Sequence, residues 1–210
     1  MPLRLLAQCA AYLPDAGLLL VADLHLGKAQ AFRRLGVPVP GGTTAVSLAR
    51  LDAALAATDA RGIVFLGDLI HSARGRSTAS WQAVAAWRGR HADLDLTLVR
   101  GNHDRHAGDP PPEWRVQCVE EPWAPTPGSL LRLSHHPDPV VGAYVLAGHV
   151  HPAVRLGGRA HDRLRLPCFH FGPTVGLLPA FGGFTGAHVL SRGPDDRVFV
   201  VHDEGVAALP

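Results

Sequence analysis

Five times along this chain a short apolar run stops at a cluster of acids, histidines or amides, and this repetition constrains the fold more than any other feature. The runs are Gly17–Asp23, Gly62–Asp68, Leu94–Asn102, Ser129–His135 and Gly142–His149. Each reads as a buried strand whose C-terminal end opens into a polar loop. Between the first two, Thr43-Thr44 precedes Leu48, Leu51 and Leu55 at helical spacing, which predicts an N-cap followed by an amphipathic helix. Ala79 to Trp87 is a second helix candidate. Strands alternating with helices predict a layered α/β architecture. After Pro152 the helical signals give way to strands over Leu164–Phe171, Ala187–Leu190 and Val198–His202, so a second sheet is expected. Arg105 to Gly128 is proline-rich and reads as a loop.

Composition narrows the class. A length of 210 residues fits one domain, here taken as 1–210, and 47% hydrophobic with 18% charged residues excludes a disordered chain. No apolar run approaches the roughly 20 residues of a membrane helix, and the apolar start is read as an opening strand rather than a signal peptide. Cys9, Cys118 and Cys168 form no CxxC pair, which argues against a disulfide framework or a thiolate zinc site and predicts a cytoplasmic protein. The net charge of +2 is too small to demand a nucleic-acid partner, so distribution matters more. Leu24–Leu51 and His71–His91 hold no acid, and carry Lys28, Arg33, Arg34, Arg50, Arg74, Arg76, Arg88 and Arg90. The second stretch adds Trp81 and Trp87, of which one is expected in the core and the other free to stack on a base.

The polar ends of the runs are Asp23-Leu-His25, Gly67-Asp68, Gly101-Asn-His-Asp104, Ser134-His-His-Pro137 and Gly148-His-Val-His151. Residues two apart in extended chain leave the same face, which pairs Asp23 with His25 and His149 with His151. Gly67, Gly101 and Gly148 predict tight turns where the loops leave the strands. Carboxylate, imidazole and amide donors together suit divalent manganese, iron or zinc. Asp23, His25, Asp68, Asn102, one of His135 and His136, His149 and His151 are too many donors for one tetrahedral ion. They suit two ions that share a carboxylate. Strand alternation through the 134–137 block turns His135 inward and His136 to the opposite side, towards substrate. As plain turn residues these groups would bury many polar atoms without compensation.

This set of motifs resembles the calcineurin-like metallophosphoesterases, with all five blocks present in family order. The resemblance implies a four-layer sandwich of two β-sheets flanked by helices, with a metal site at the C-terminal ends of the strands. It implies one ion on Asp23, His25, Asp68 and His151, and a second on Asp68, Asn102, His135 and His149, with Asp68 bridging. His103 would stand beside two divalent ions, Mn2+ foremost with Fe or Zn as alternatives, and face the leaving group. The flanking sequence is similar to the ligase-associated DNA damage response endonucleases (PdeM) over about residues 18–186. That likeness is carried by Ala22–Lys28 with Phe32-Arg33, by Gly36–Thr44, Gly67–Ser72 and Leu146–Ala153, and by Leu166–Phe169 with Leu178–Gly182. It implies a metal-dependent phosphodiesterase that cuts DNA, with a DNA-ligase-associated repair system as partner and no membrane.

On that reading a water activated by the two ions attacks the phosphodiester, and His103 stabilises or protonates the departing oxygen. Asp104 is expected either to orient His103 or to serve as a turn residue. Lys28 and Arg33 are candidate phosphate contacts, with a solvated loop as the plain alternative, and His71 and His136 are further candidate substrate contacts. Three rivals stand beside this reading. A small-molecule phosphodiesterase or phosphatase would use the same metals on a nucleotide. A protein phosphatase is disfavoured by the short chain. A catalytically silent scaffold would be free to lose donors and His103, whereas here the set is complete.

Overall fold

The structure, a computed structural model, describes residues 2–157, 163–203 and 205–210. The first sheet contains β1 (Arg4–Leu6), β2 (Ala10–Leu13), β3 (Leu18–Ala22), β4 (Gly62–Leu66), β5 (Asp95–Val99) and β6 (Val116–Val119), side by side in that order. β1 to β3 run antiparallel, and β3 to β6 parallel. The second sheet contains β7 (Leu131–Ser134), β8 (Tyr144–Ala147), β9 (Pro152–Gly157), β10 (Arg163–Phe171), β11 (Val175–Leu177), β12 (His188–Val189), β13 (Arg197–His202) and β14 (Gly205–Ala208). Its order is β12-β9-β10-β11-β8-β7, with β13 pairing both β10 and β14. Helices flank the sheets: α1 (Lys28–Arg34), α2 (Thr43–Ala56), α3 (Thr78–Arg90) and α4 (Asn102–Ala107). Among the described residues no helix is long and apolar enough to cross a membrane.

β4 is buried at every position, as a central parallel strand covered on both faces must be. One core joins the two sheets, with Leu20, Ile63, Leu66 and Leu98 packed into the same cluster as Leu133, Leu146, Phe169 and Phe181. Leu48 and Leu51 of α2 and Val84 and Trp87 of α3 add their apolar faces to it. Both predicted sheets and both predicted helices are therefore present. Trp87 is the core tryptophan, and Trp81 is half-buried against Trp114 with Arg76 over its ring.

Three local expectations are corrected. The cap of α2 is Gly42 in the left-handed region, not a threonine hydroxyl; Thr43 is already helical. The proline-rich 105–128 segment is not all loop. It contains the end of α4, a single turn at Pro112–Trp114 and the edge strand β6. Four residues are too few to show alternation, and β6 exists because Leu96–Val99 offers a parallel ladder to it. The apolar opening forms a two-strand hairpin, β1 with β2, rather than one strand.

Candidate metal centre

The loops leaving β3, β4, β5, β7 and β8 converge, and with them Asp23, Asp68, Asn102, His135 and His149. The first two loops are stitched together by main-chain bonds from His25 N–H to Asp68 O and from Leu26 N–H to Leu69 O, each 2.8 Å. Extended alternation is not what aims the side chains. Asp23, His25, Asp68, His149 and His151 all take left-handed backbone, with φ of 53°, 50°, 51°, 68° and 53°. Such a conformation costs roughly 1–3 kcal/mol at a non-glycine residue, and strain of this kind clusters at functional sites.

The motif glycines differ from expectation in the same way. Gly67 does sit at φ +75°, and a Cβ there would lie 2.1 Å from His135 Nδ1. Gly101 and Gly148 have ordinary backbone angles, and what they supply is space. A Cβ would come within 2.5 Å of Asp68 Oδ1 at Gly101 and 2.7 Å of Asp23 Oδ2 at Gly148.

The donors fall into two overlapping groups. Asp23, His25 and His151 form one, with His151 Nε2 3.4 Å from Asp23 Oδ1. Asp23, Asp68 and His135 form another, and Asn102 Oδ1 and His149 Nδ1 lie 2.9 and 3.0 Å from His135 Nε2. Asp68 stands between them. Its Oδ2 faces His25 Nε2 at 3.7 Å and its Oδ1 faces His135 Nε2 at 3.5 Å. All seven expected donors are thus brought together.

Burial sets the electrostatics. It pushes the Asp68 carboxyl above its ordinary value and holds the His25, His135 and His149 imidazoles below theirs, while His71 falls to about 4. Neutral imidazoles present lone pairs, as metal ligands must. Among the described residues Asp23 Oδ1 is buried and accepts no hydrogen bond, an orphaned carboxylate oxygen pointing among imidazole nitrogens. A cation is the partner that such an atom requires, so the residues fit divalent metal.

The remaining candidates are placed as follows. His103 is partly exposed, with Nε2 3.9 Å from Asp68 Oδ2 and Nδ1 2.7 Å from His71 O. Of the two roles open to Asp104, its hydrogen bonds fit the turn: its carboxylate accepts from Ile70 N–H and Gly101 N–H, each 3.0 Å, and ties the two loops, while His71 O accepts from His103 Nδ1. His71 also stacks on His103 and approaches His25 Nδ1 at 3.4 Å. Lys28 opens α1 half-buried, with Asp23 and Asp68 acting on its charge. Arg33 bonds Val39 O, Pro40 O and Gln30, so its guanidinium pins a loop.

His135 is fully buried among the donors, whereas His136 is partly exposed and bonded to Glu121. Glu121 is a residue that the sequence reading missed. Its Oε2 accepts from Ser134 Oγ and from the N–H groups of His135 and His136 at 2.8–2.9 Å, and its Oε1 meets His136 Nδ1 at 2.7 Å. No periodicity marks it. Only its place beside a proline at the end of a strand could have hinted at a fixed turn.

Two packed sheets flanked by helices, with carboxylates and imidazoles on the strand ends, define a metallophosphoesterase-type sandwich. No protein-family model and no curated protein sequence matches the chain. Among solved structures it is similar to the Pseudomonas putida nuclease MPE, at 43% sequence identity and a TM-score of 0.84, over 99% of this chain and 94% of that one. The chain belongs to the same family as that nuclease.

Proposed function

We propose that this protein is a metal-dependent phosphodiesterase that cuts DNA, of the ligase-associated DNA damage response type, working with two divalent ions of which manganese is the first choice. The observation that carries the reading is Asp68, whose two oxygens face opposite halves of the donor set beside the orphaned Asp23 Oδ1. Family membership with a nuclease supports a nucleic-acid substrate. Asp23, His25, Asp68 and His151 would hold one ion, and Asp68, Asn102, His135 and His149 the other. Bound there, the ions would neutralise charge growing on the phosphate and lower the pKa of a water nucleophile.

The chain's own groups do the rest. His71 O accepts from His103 Nδ1–H, which leaves His103 Nε2 facing the site to carry the proton for the departing oxygen. Stacking on His71 fixes the plane of that ring. The Lys28 ammonium would attract the phosphate into the site. The Asp104 carboxylate and the left-handed turns keep the loops at a fixed separation, so the donors need little rearrangement. The test is metal-reconstituted protein assayed on circular single-stranded DNA, plasmid DNA and an aryl phosphodiester. Cutting of a circle, abolished by chelation, is the expected result. Turnover of the aryl diester with indifference to both DNAs would overturn the reading in favour of a small-molecule phosphodiesterase.

A further inference from the structure

The arginines expected to hold DNA are largely occupied elsewhere. Arg34 bonds Arg74 O and Arg76 O, Arg50 bonds Phe181 O, Arg76 bonds Ala107 O, Arg88 bonds Trp114 O, and Arg90 pairs with Asp52. The antiparallel pair β9 and β10 is different. Arg155 and Arg165 are direct cross-strand partners, so their side chains leave the same face, and Arg163, two residues from Arg165, shares it. All three are exposed. Like charges directly opposed across a ladder are destabilising. Among the described residues nothing accepts a hydrogen bond or forms an ion pair with any of the three guanidinium groups. A cluster with no counter-ion among the described residues is expected where an anion arrives from outside.

One member of the cluster, Arg165, lines a cleft that reaches the metal centre, and Arg155 and Arg163 share its face of the sheet. A cleft of about 720 Å3 runs from His151 past the Gly182–Gly186 loop to Arg165, and Asp203 is the one acid among its described lining residues. At its inner end His151 Nε2 lies 3.4 Å from Asp23 Oδ1. Side chains two apart on one strand stand about 6.8 Å from each other, a spacing that suits successive phosphates of an extended single strand. Guanidinium forks suit phosphate oxygens. We infer that the single DNA strand leaving the cleavage centre follows this cleft and that Arg155, Arg163 and Arg165 hold its phosphates. This rests on the nuclease reading above and adds the path of the substrate to it.

The experiment uses the full chain with metal, a fluorescent single-stranded 30-mer and a titration of salt. Wild type should bind with a log affinity that falls steeply with log salt. The triple variant Arg155→Ala/Arg163→Ala/Arg165→Ala should lose at least tenfold in affinity near 0.1 M salt. Its slope should be shallower by about 2, since each contact on a single strand contributes about 0.7. The single variant Arg155→Glu, which sets an acid opposite Arg165, should raise the melting temperature without DNA and weaken DNA binding. Arginines with a merely structural role would lower the melting temperature and leave binding alone. If wild type cuts DNA and the triple variant keeps its affinity and slope, the path is overturned and the nuclease reading survives. If wild type turns over an aryl diester but neither binds nor cuts the oligonucleotide, both fall together. Should the triple variant fail to fold, Arg155→Glu decides: full DNA affinity in that variant would overturn the path.

Discussion

Asp68 and His103 lie within 3.9 Å of each other and are expected to fail differently. Asp68 faces both halves of the donor set, so Asp68→Asn should lose bound metal and activity together. Two equivalents of metal found in that variant by elemental analysis would remove Asp68 from the shared position. In the proposed assignment His103 holds neither ion, so His103→Ala should keep both ions and lose turnover by about 10²–10⁴-fold, the usual worth of a positioned acid–base group. Wild-type kcat on a diester with a poor leaving group would exclude the role. Glu121 acts one step further out. Burial works to raise its carboxyl, but the N–H groups and side chains of His136, Ser134 and His135 outweigh burial and hold it at about 2 against an ordinary 4.5. A depressed carboxyl adds stability above about pH 4.5, and that stability is lost as pH falls towards 2. Glu121→Ala should therefore destabilise at neutral pH by about 1–3 kcal/mol through the donors it strands. Urea midpoints of the two proteins should converge in acid, and an equal gap at pH 7 and pH 2.5 would refute the account.

At the scale of elements, α2 and α3 are joined by Asp52, which accepts from Trp87 Nε1 at 2.6 Å and meets His91 Nε2 at 2.7 Å. Trp87 is also packed into the main core. Trp87→Ala should cost about 3–5 kcal/mol in urea unfolding, almost all of it from lost packing, because Asp52 is exposed enough to be solvated when its partner leaves. A loss below about 1 kcal/mol would mean that the seam is looser than the contacts imply. Arg33, Arg34 and Arg76 in the basic stretches stay exposed and charged, yet they also tie loops, through carbonyls of the connections around α1 and α4. Arg33→Ala should then loosen the 35–40 segment, an effect separable from phosphate binding.

For the whole molecule, the buried carboxylates of Asp23 and Asp68 and the orphaned Asp23 oxygen are expected to make the metal-free protein poorer in stability than its core allows. Metal that binds only the folded chain stabilises by mass action, about 2.7 kcal/mol per site at a hundredfold excess over Kd. For a chain of this length that is a rise of about 5–10 °C in Tm per site. Differential scanning fluorimetry with and without Mn2+ measures it. An unchanged Tm alongside measurable metal binding would mean that the donors bind as well in the unfolded chain.

The sequence by itself determined the strand ends and the chemistry at them, because apolar runs that stop at Asp, Asn and His are local signals, and local order carries both the strand and its exit. That Asp23, His25, Asp68, Asn102, His135, His149 and His151 gather at strand ends was legible for that reason. How those residues are aimed was decided only in three dimensions. Five of them needed left-handed turns that no periodicity encodes, and Gly101 and Gly148 needed to be small because of carboxylates brought from distant loops. Glu121 and β6 were invisible for the same reason, since the partners that give them meaning, the His135–His136 turn and the Leu96–Val99 ladder, lie outside any local window. Charge was the local signal that most needed the fold to interpret it. A guanidinium's role depends on which acceptors the fold brings within reach, so clustered arginines between residues 24 and 91 became loop ties, while Arg155 and Arg165, ten residues apart, became neighbours.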